Sequence, residues 1–241
     1  MSSSKPHYTR VLLKLSGEAM MGSRKFGIDY EACQNIAASL KEVVGLGVKI
    51  AIVVGGGNIF RGVQAKDFGF ERTPADQIGM VATIINGLAL QQTLKAIGLD
   101  AHVMSAVTCS GIVENYHWLK AQSLFDKGGI PIFVGGTGNP YFTTDTAASL
   151  RASEIHADVL MKATKVEGIF DKDPMKHDDA KQLRHVTYSQ ALANKLNVMD
   201  ATALAMCREN KLPIYVFNIF HPGALLHAIL GRGAGSLVSE E

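Results

Sequence analysis

The chain reads as an α/β protein: a three-layer sandwich with a mainly parallel central sheet, built as one domain with two lobes. Three observations predict this. Short apolar runs of strand length alternate with longer stretches of helical periodicity. Glycine clusters follow directly on two of those runs, at Gly55-Gly56-Gly57 and Gly135-Gly136. Strand, glycine turn and helix in repetition is the pattern of a parallel sheet covered on both faces. The composition is globular, with 47% hydrophobic and 19% charged residues, which excludes a disordered chain.

The elements follow in order. Residues 11–15 form a first strand. Tyr30–Val44 is an amphipathic helix, stopped by Gly45 and Gly47. Lys49–Val54 is a β-branched strand that runs into the triple glycine. Residues 74–97 form a long helix with Pro74 in its first turn. Its apolar residues Ile78, Val81, Ile84, Ile85, Leu88, Leu90 and Leu94 cover more than one face. A helix of that kind is either buried in the domain or part of an oligomer interface. A strand at 102–106, a helix at 116–125 and the strand Ile130–Val134 come next. A helix at 144–155 precedes a strand at 158–162. Residues 165–184, rich in Lys, Asp and His, are the most irregular stretch. Two helices, 189–196 and 200–210, lead to a strand at 214–217, a helix at 222–230 and a last strand near Leu237. No Pro- or Ser-rich linker and no fixed-period repeat divides the chain. The second lobe is set to begin near Ala157, giving lobes of 8–156 and 157–241 within one domain over 1–241.

Charge and cysteine usage exclude several classes. Lys plus Arg total 24 against 22 Asp plus Glu, a net charge of +2. A protein held to nucleic acid by bulk charge would be far more basic. The first ten residues carry no apolar signal core, and the longest apolar runs are strand-sized, so export and membrane insertion are not expected. Cys33, Cys109 and Cys207 form no CxxC pair and fit free thiols in a reducing cytoplasm. The histidines show neither HxH nor HExxH spacing, so no dedicated metal site is expected.

Four segments carry chemistry. In Lys14-Leu15-Ser16-Gly17-Glu18, a lysine closes the first strand and Gly17 lets the backbone approach a ligand. Lys14 reads as a cation over phosphates or as a snorkelling edge lysine. In Gly55-Gly56-Gly57-Asn58-Ile59-Phe60-Arg61, the glycines offer N–H groups to an anion, Asn58 suits a helix N-cap, and Arg61 can fork onto the same anion. The third segment, Gly135-Gly136-Thr137-Gly138-Asn139-Pro140-Tyr141-Phe142-Thr143-Thr144-Asp145, supplies a hydroxyl-rich loop with two aromatic walls. Asp145, in the first turn of the next helix, compensates the helix dipole or holds lysines in place. The fourth, from Lys162 through Thr164 and Phe170 to Asp173-Pro174, again puts a lysine at a strand end before a turn and hairpin.

No GxxxxGK[ST] loop exists, and GxGxxG fails at Phe60 and at Tyr141. A nicotinamide dehydrogenase is thereby disfavoured. No convincing Ser/His/Asp set offers a nucleophile. What remains suits phosphoryl transfer, which needs cations and N–H dipoles gathered between two mutually repelling anions and little covalent chemistry.

Together these segments resemble the amino acid kinase superfamily and, within it, the bacterial UMP kinases (uridylate kinases). The matching stretches are LLKLSGEA, GGGNIFRG, the helix with Asp76, GTGNPYFTTD, KATKVEGIFDKDP, Val198 to Asp200 and PIYVFN, spanning 10–237. The resemblance implies an amino acid kinase-like fold and the reaction ATP plus UMP giving ADP plus UDP, with Mg²⁺ carried on ATP. It places Lys14, Leu15, Ser16, Gly17, Gly57 and Arg61 along the ATP phosphates, and Thr164, Phe170 and Asp173 on the ATP nucleoside. Gly56 would face the UMP phosphate and Asp76 the ribose hydroxyls. Thr137, Gly138, Asn139, Pro140, Tyr141, Phe142, Thr143 and Thr144 would line the UMP pocket. Lys14, Arg61 and Lys162 would be catalytic cations, oriented by Asp145, while the role of Asp200 stays open. A cytoplasmic homo-oligomer, usually a hexamer, with GTP and UTP as effectors is also implied. GTP-responsive members usually carry arginines around the matches of Gln91 and His102, whereas this chain has none between Arg72 and Arg151. A kinase of another small acid, of carbamate or acetylglutamate type, and a non-catalytic nucleotide-binding regulator are the alternatives.

Overall fold

The computed structural model describes residues 5–61 and 68–240. Gly62, the last residue of GGGNIFRG, lies outside them. The strands are β1 (Arg10–Leu15), β2 (Lys49–Val54), β3 (Ala101–Ser105), β4 (Glu114–Asn115), β5 (Ile130–Val134), β6 (Val159–Thr164), β7 (Ile169–Phe170), β8 (Gln182–Leu183), β9 (His185–Thr187), β10 (Ile214–Asn218) and β11 (Ser236–Ser239). The helices are α1 (Tyr30–Val44), α2 (Arg72–Ala96), α3 (Trp118–Asp126), α4 (Thr144–Glu154), α5 (Tyr188–Ala193), α6 (Ala201–Glu209) and α7 (Ala224–Ile229), and a 3₁₀ turn spans Gly17–Met20.

The sheet runs β4-β3-β5-β2-β1-β6-β10-β11-β9, and β7 pairs with β8 apart from it. All neighbours are parallel except β10 and β11. Strand order reverses at β1, which lies between β2 and β6. In open parallel sheets a ligand crevice forms outside the carboxyl ends of the strands at such a point. The sheet is continuous through both expected lobes, since β6 pairs with β1 and with β10.

Alternation along the strands builds two cores. Val11, Leu13 and Leu15 of β1 pack with α1, α2 and α7. Leu12 points the other way, into a core with α3, α4, α5 and α6. By the same period of two, Lys14 shares the face of Leu12 and so lies under α4. On β6, Met161 belongs to the first core and Leu160 to the second, which gives Lys162 the same face as Lys14.

The differences from the sequence reading have local causes. The helix expected at 116–125 starts at Trp118, because β4 extends the sheet and the Tyr116 N–H donates to Ser105 O. The Tyr116 ring stays behind, edge-on to Phe133 and 3.6 Å beneath the Arg151 guanidinium. The helix expected at 189–196 ends at Ala193, and Lys195 turns the chain with a φ of 48°. The helix expected at 222–230 starts at Ala224 after Gly223 at φ 72°. Strand β6 starts at Val159, since Asp158 is spent accepting from the N–H groups of Thr9 and Arg10. The irregular stretch contains the antiparallel β7–β8 pair, where the sequence reading expected a turn and hairpin, and leads into β9, which periodicity did not show.

The long helix is buried on one side only. Ile84, Leu90 and Leu94 of α2 are buried, while Ile78, Val81 and Ile85 are 39%, 54% and 45% exposed.

Candidate active site

Lys14 and Lys162 are register partners on neighbouring parallel strands. Two ammonium groups so placed repel each other. Asp145, in the first turn of α4, lies between them: Oδ1 is 2.8 Å from Lys14 Nζ, and Oδ2 is 2.8 Å from Lys162 Nζ. Lys162 also donates to the Val198 carbonyl. The Lys14 ammonium is the partner of the buried Asp145 Oδ1. Burial works to raise the Asp145 pKa, but the two lysines outweigh it and hold the carboxyl below its usual value. Burial and the neighbouring Lys14 pull Lys162 below the ordinary lysine value against the attraction of Asp145.

Asp200 braces the same group. It caps α6 by accepting from the Ala203 N–H at 2.8 Å, and it accepts from the hydroxyls of Thr143 and Thr146. Thr143 is itself the N-cap of α4, accepting from the Asp145 N–H. Through these bonds Asp200 ties the start of α6 to the start of α4, which carries Asp145.

On one side of the lysines lies a cavity of about 270 Å³ between the two glycine loops and the start of α2. Gly56, Gly57, Asp76, Thr137, Asn139, Phe142, Thr143 and Thr144 line it. A Cβ on Gly56 would stand 2.8 Å from Ala82 Cβ, so close packing on α2 demands glycine there. A Cβ on Gly57 would meet nothing within 4 Å. The second loop turns through Gly135, Gly136 and Gly138, all at positive φ. Among the described residues, the N–H groups of Gly56, Gly57, Gly136 and Thr137 meet no protein acceptor. That leaves donors for an anion. Asp76 Oδ2 accepts from Arg72 Nε and from the Tyr141 N–H, at 2.9 and 2.8 Å.

On the other side lies a cleft of about 460 Å³, lined by Lys14, Ser16, Glu18, Lys162, Thr164, Phe170 and Asp173 among others. Thr144 of α4 lines the first cavity, and the next residue, Asp145, holds the two lysines that line the second.

Residues 9–218 match the model of the amino acid kinase family. The chain belongs to that family. It is 51% identical over 233 residues to a protein named uridylate kinase from Protochlamydia amoebophila, covering 96% of this chain and 93% of the relative. A uridylate kinase of Pseudomonas putida is 47% identical over 239 residues, covering 99% and 97%. The crystal structure of a UMP kinase from Bacillus anthracis superposes with a TM-score of 0.94 at 37% identity, covering 97% of each chain.

In this amino acid kinase Gly56, Asp76, Thr137, Asn139, Phe142, Thr143 and Thr144 line the smaller cavity, Lys14, Ser16, Lys162, Thr164, Phe170 and Asp173 line the cleft, and Gly17 and Arg61 line neither. Leu15 is wholly buried in the core, its carbonyl accepts from the Gly55 N–H, and it lines neither cavity. Gly57, expected along the ATP phosphates, lines the smaller cavity instead. Gly138, Pro140 and Tyr141 shape the second loop without lining that cavity. Asn58 caps no helix: its amide is buried and bonds the Gly27 carbonyl and Asn86.

Glu18 is the residue that sequence reasoning missed. Its carboxylate joins Arg61 Nη2 at 2.9 Å to Lys165 Nζ at 3.5 Å, while Arg61 Nε donates to Gly57 O. Its presence beside two expected cation segments was the only available signal. Arg72 lines the smaller cavity and lies 5.2 Å from the Tyr141 ring, and no motif pointed to it.

Proposed function

We propose that this chain is an ATP-dependent nucleoside monophosphate kinase that transfers the γ-phosphoryl group of ATP to UMP, giving ADP and UDP. The observation that carries the reading is the pair of adjacent strand-end lysines that line the cleft, bridged by Asp145, whose neighbour in the chain, Thr144, lines the smaller cavity. The names of the relatives supply the substrates, and family membership supports phosphoryl transfer. The smaller cavity takes UMP, with its phosphate against the N–H groups of Gly56, Gly57 and Gly136 and its ribose near Asp76. The larger cleft takes ATP, with the nucleoside along Thr164, Phe170 and Asp173. The acceptor lobe is 8–156 and the ATP lobe 157–241.

The acceptor needs no activation by a side chain, because a nucleotide phosphate is already a dianion near pH 7. One of its oxygens attacks the γ-phosphorus in line, a new P–O bond forms, and the bond to the ADP oxygen breaks. Lys14 and Lys162 neutralise the charge on the passing group, and Asp145 fixes them before substrate arrives, so little reorganisation remains for the reaction itself.

Mg²⁺ fits this chain as an ion carried on the ATP phosphates. The carboxylates at the junction are engaged, Asp145 by lysines and Asp200 by hydroxyls and an N–H, and no group of three metal-ligating side chains converges among the described residues. When bound with ATP, the ion would supply positive charge that offsets the charge of the phosphates.

No helix among the described residues is long and apolar enough to cross a membrane. A cytoplasmic homo-oligomer, a hexamer by family resemblance, fits the exposed Ile78, Val81 and Ile85 of α2. GTP and UTP remain proposed effectors. At the positions matched to the arginines of GTP-responsive members, Gln91 accepts from the Val103 N–H and His102 pairs with Asp100.

A coupled assay of ADP release with UMP, CMP, carbamate and acetylglutamate tests the reading. UMP is expected to give the highest kcat/KM. Turnover with carbamate or acetylglutamate alone would replace the acceptor, and nucleotide binding without turnover would make the chain a regulator.

A further inference from the structure

Two polar residues of α2 are buried and belong to no motif. Thr83 is 2% exposed and Asn86 is 0% exposed. They stand one helical turn apart, on one side of the helix. A buried polar group is costly unless it is bonded, and these bonds run to the two glycine loops. Thr83 Oγ1 accepts from the Gly135 N–H at 2.7 Å and donates to Met80 O at 2.7 Å. Asn86 Nδ2 donates to Gly55 O at 2.7 Å and to Asn58 Oδ1 at 2.6 Å. Asn58 returns a bond to Asn86 Oδ1 at 3.1 Å and ties the pair to Gly27 O at 2.8 Å.

The helix surface around them fits the same purpose. The Cβ that Gly56 lacks would fall 2.9 Å from Gly79 O and 3.2 Å from Thr83 N, so the first loop lies directly on α2. A Cβ on Gly87 would fall 2.4 Å from Val134 Cγ1, so the helix lies equally close to the strand that feeds the second loop. A helix is stiff over one turn, with a rise of about 1.5 Å per residue. Two loops bonded to residues three positions apart therefore have their separation set by the helix.

We propose that Thr83 and Asn86 are positioning residues for the phosphate of the acceptor. They act through Gly135 and Gly55 to hold the two anion-binding loops at a fixed distance across the smaller cavity. The inference rests on the acceptor reading given above and deepens it: α2 sets the width of the phosphate cradle. Thr83 lines the smaller cavity, but its hydroxyl is spent on the Gly135 N–H and Met80 O, and Asn86 is wholly buried, so neither residue moves a proton or bonds the reacting atoms.

Thr83→Val is the test, because it keeps the shape of the side chain and removes the acceptor for the Gly135 N–H. One lost hydrogen bond at a buried site is expected to raise the UMP KM about tenfold. The ATP KM is expected to stay within about twofold, and Thr83→Ser is expected to restore the UMP KM. Thr83→Ala removes the same acceptor with a smaller side chain, and the same split is expected of it. A melting temperature lowered without any change in the ratio of the two KM values would overturn the positioning role, as would an equal rise in both. Wild-type protein that fails to phosphorylate UMP would defeat the acceptor reading and this inference together. Wild-type turnover of UMP with an unchanged KM ratio in both variants would defeat the inference alone.

Discussion

Lys14 and Lys162 lie side by side because a parallel sheet puts register partners on the same face. The arrangement is tolerable only with Asp145 between them, and that dependence can be measured. Lys162 is held below the ordinary lysine value by burial and by Lys14, while Asp145 works in the other direction. A step that needs the Lys162 charge is thus fully supported at low pH and fails as pH rises through the lowered value. Asp145→Asn removes the charge that keeps Lys162 protonated. The alkaline limb of the kcat profile is expected to move to lower pH by about one unit or more. A limb that stays in place or moves to higher pH would separate Asp145 from the lysines. These three residues were legible in the sequence, since a lysine at the end of a buried strand demands a partner and an aspartate in a first helical turn can supply one. Glu18 was not, and Asp200 was marked only by the family resemblance, with its role open. Glu18 meets Arg61 and Lys165, and Asp200 meets Thr143, across separations that no local pattern encodes.

Helix α2 links the parts of the acceptor side. Its second turn presents Asp76, which accepts from the Tyr141 N–H, and Tyr141 holds a φ of 71°, a strained value for a residue with a side chain. Asp76→Asn keeps the size of the side chain and loses the charge. It is expected to raise the UMP KM by about tenfold or more and to leave the ATP KM within about twofold. Equal effects on the two would remove Asp76 from the acceptor site. The helices Tyr30–Val44 and 74–97 were legible because their periodicity is long. The start of α3 was not, because Tyr116 reads as helical by pattern yet is fixed by Ser105, Phe133 and Arg151 from elsewhere in the fold. Thr83 and Asn86 were hidden for a related reason. Polar residues within an apolar helix show their purpose only when the loops that they hold are seen.

The whole molecule is one sheet with a crevice where its strand order reverses, and the two cavities open on either side of that point. The class of the fold was legible from alternating strand and helix patterns. The order of the strands was not, since pairing of β5 with both β2 and β3 depends on contacts remote in sequence. The account stands or falls on whether one set of charges serves both nucleotides. A crystal structure of the protein with ADP, UMP and a planar metal-fluoride mimic of the transferring phosphoryl group measures this directly. Both lysine ammonium groups are expected to bond the mimic, with the UMP phosphate and the ADP oxygen in line on its two sides. A mimic bound with either ammonium turned away, or nucleotides seated on separate surfaces, would contradict it.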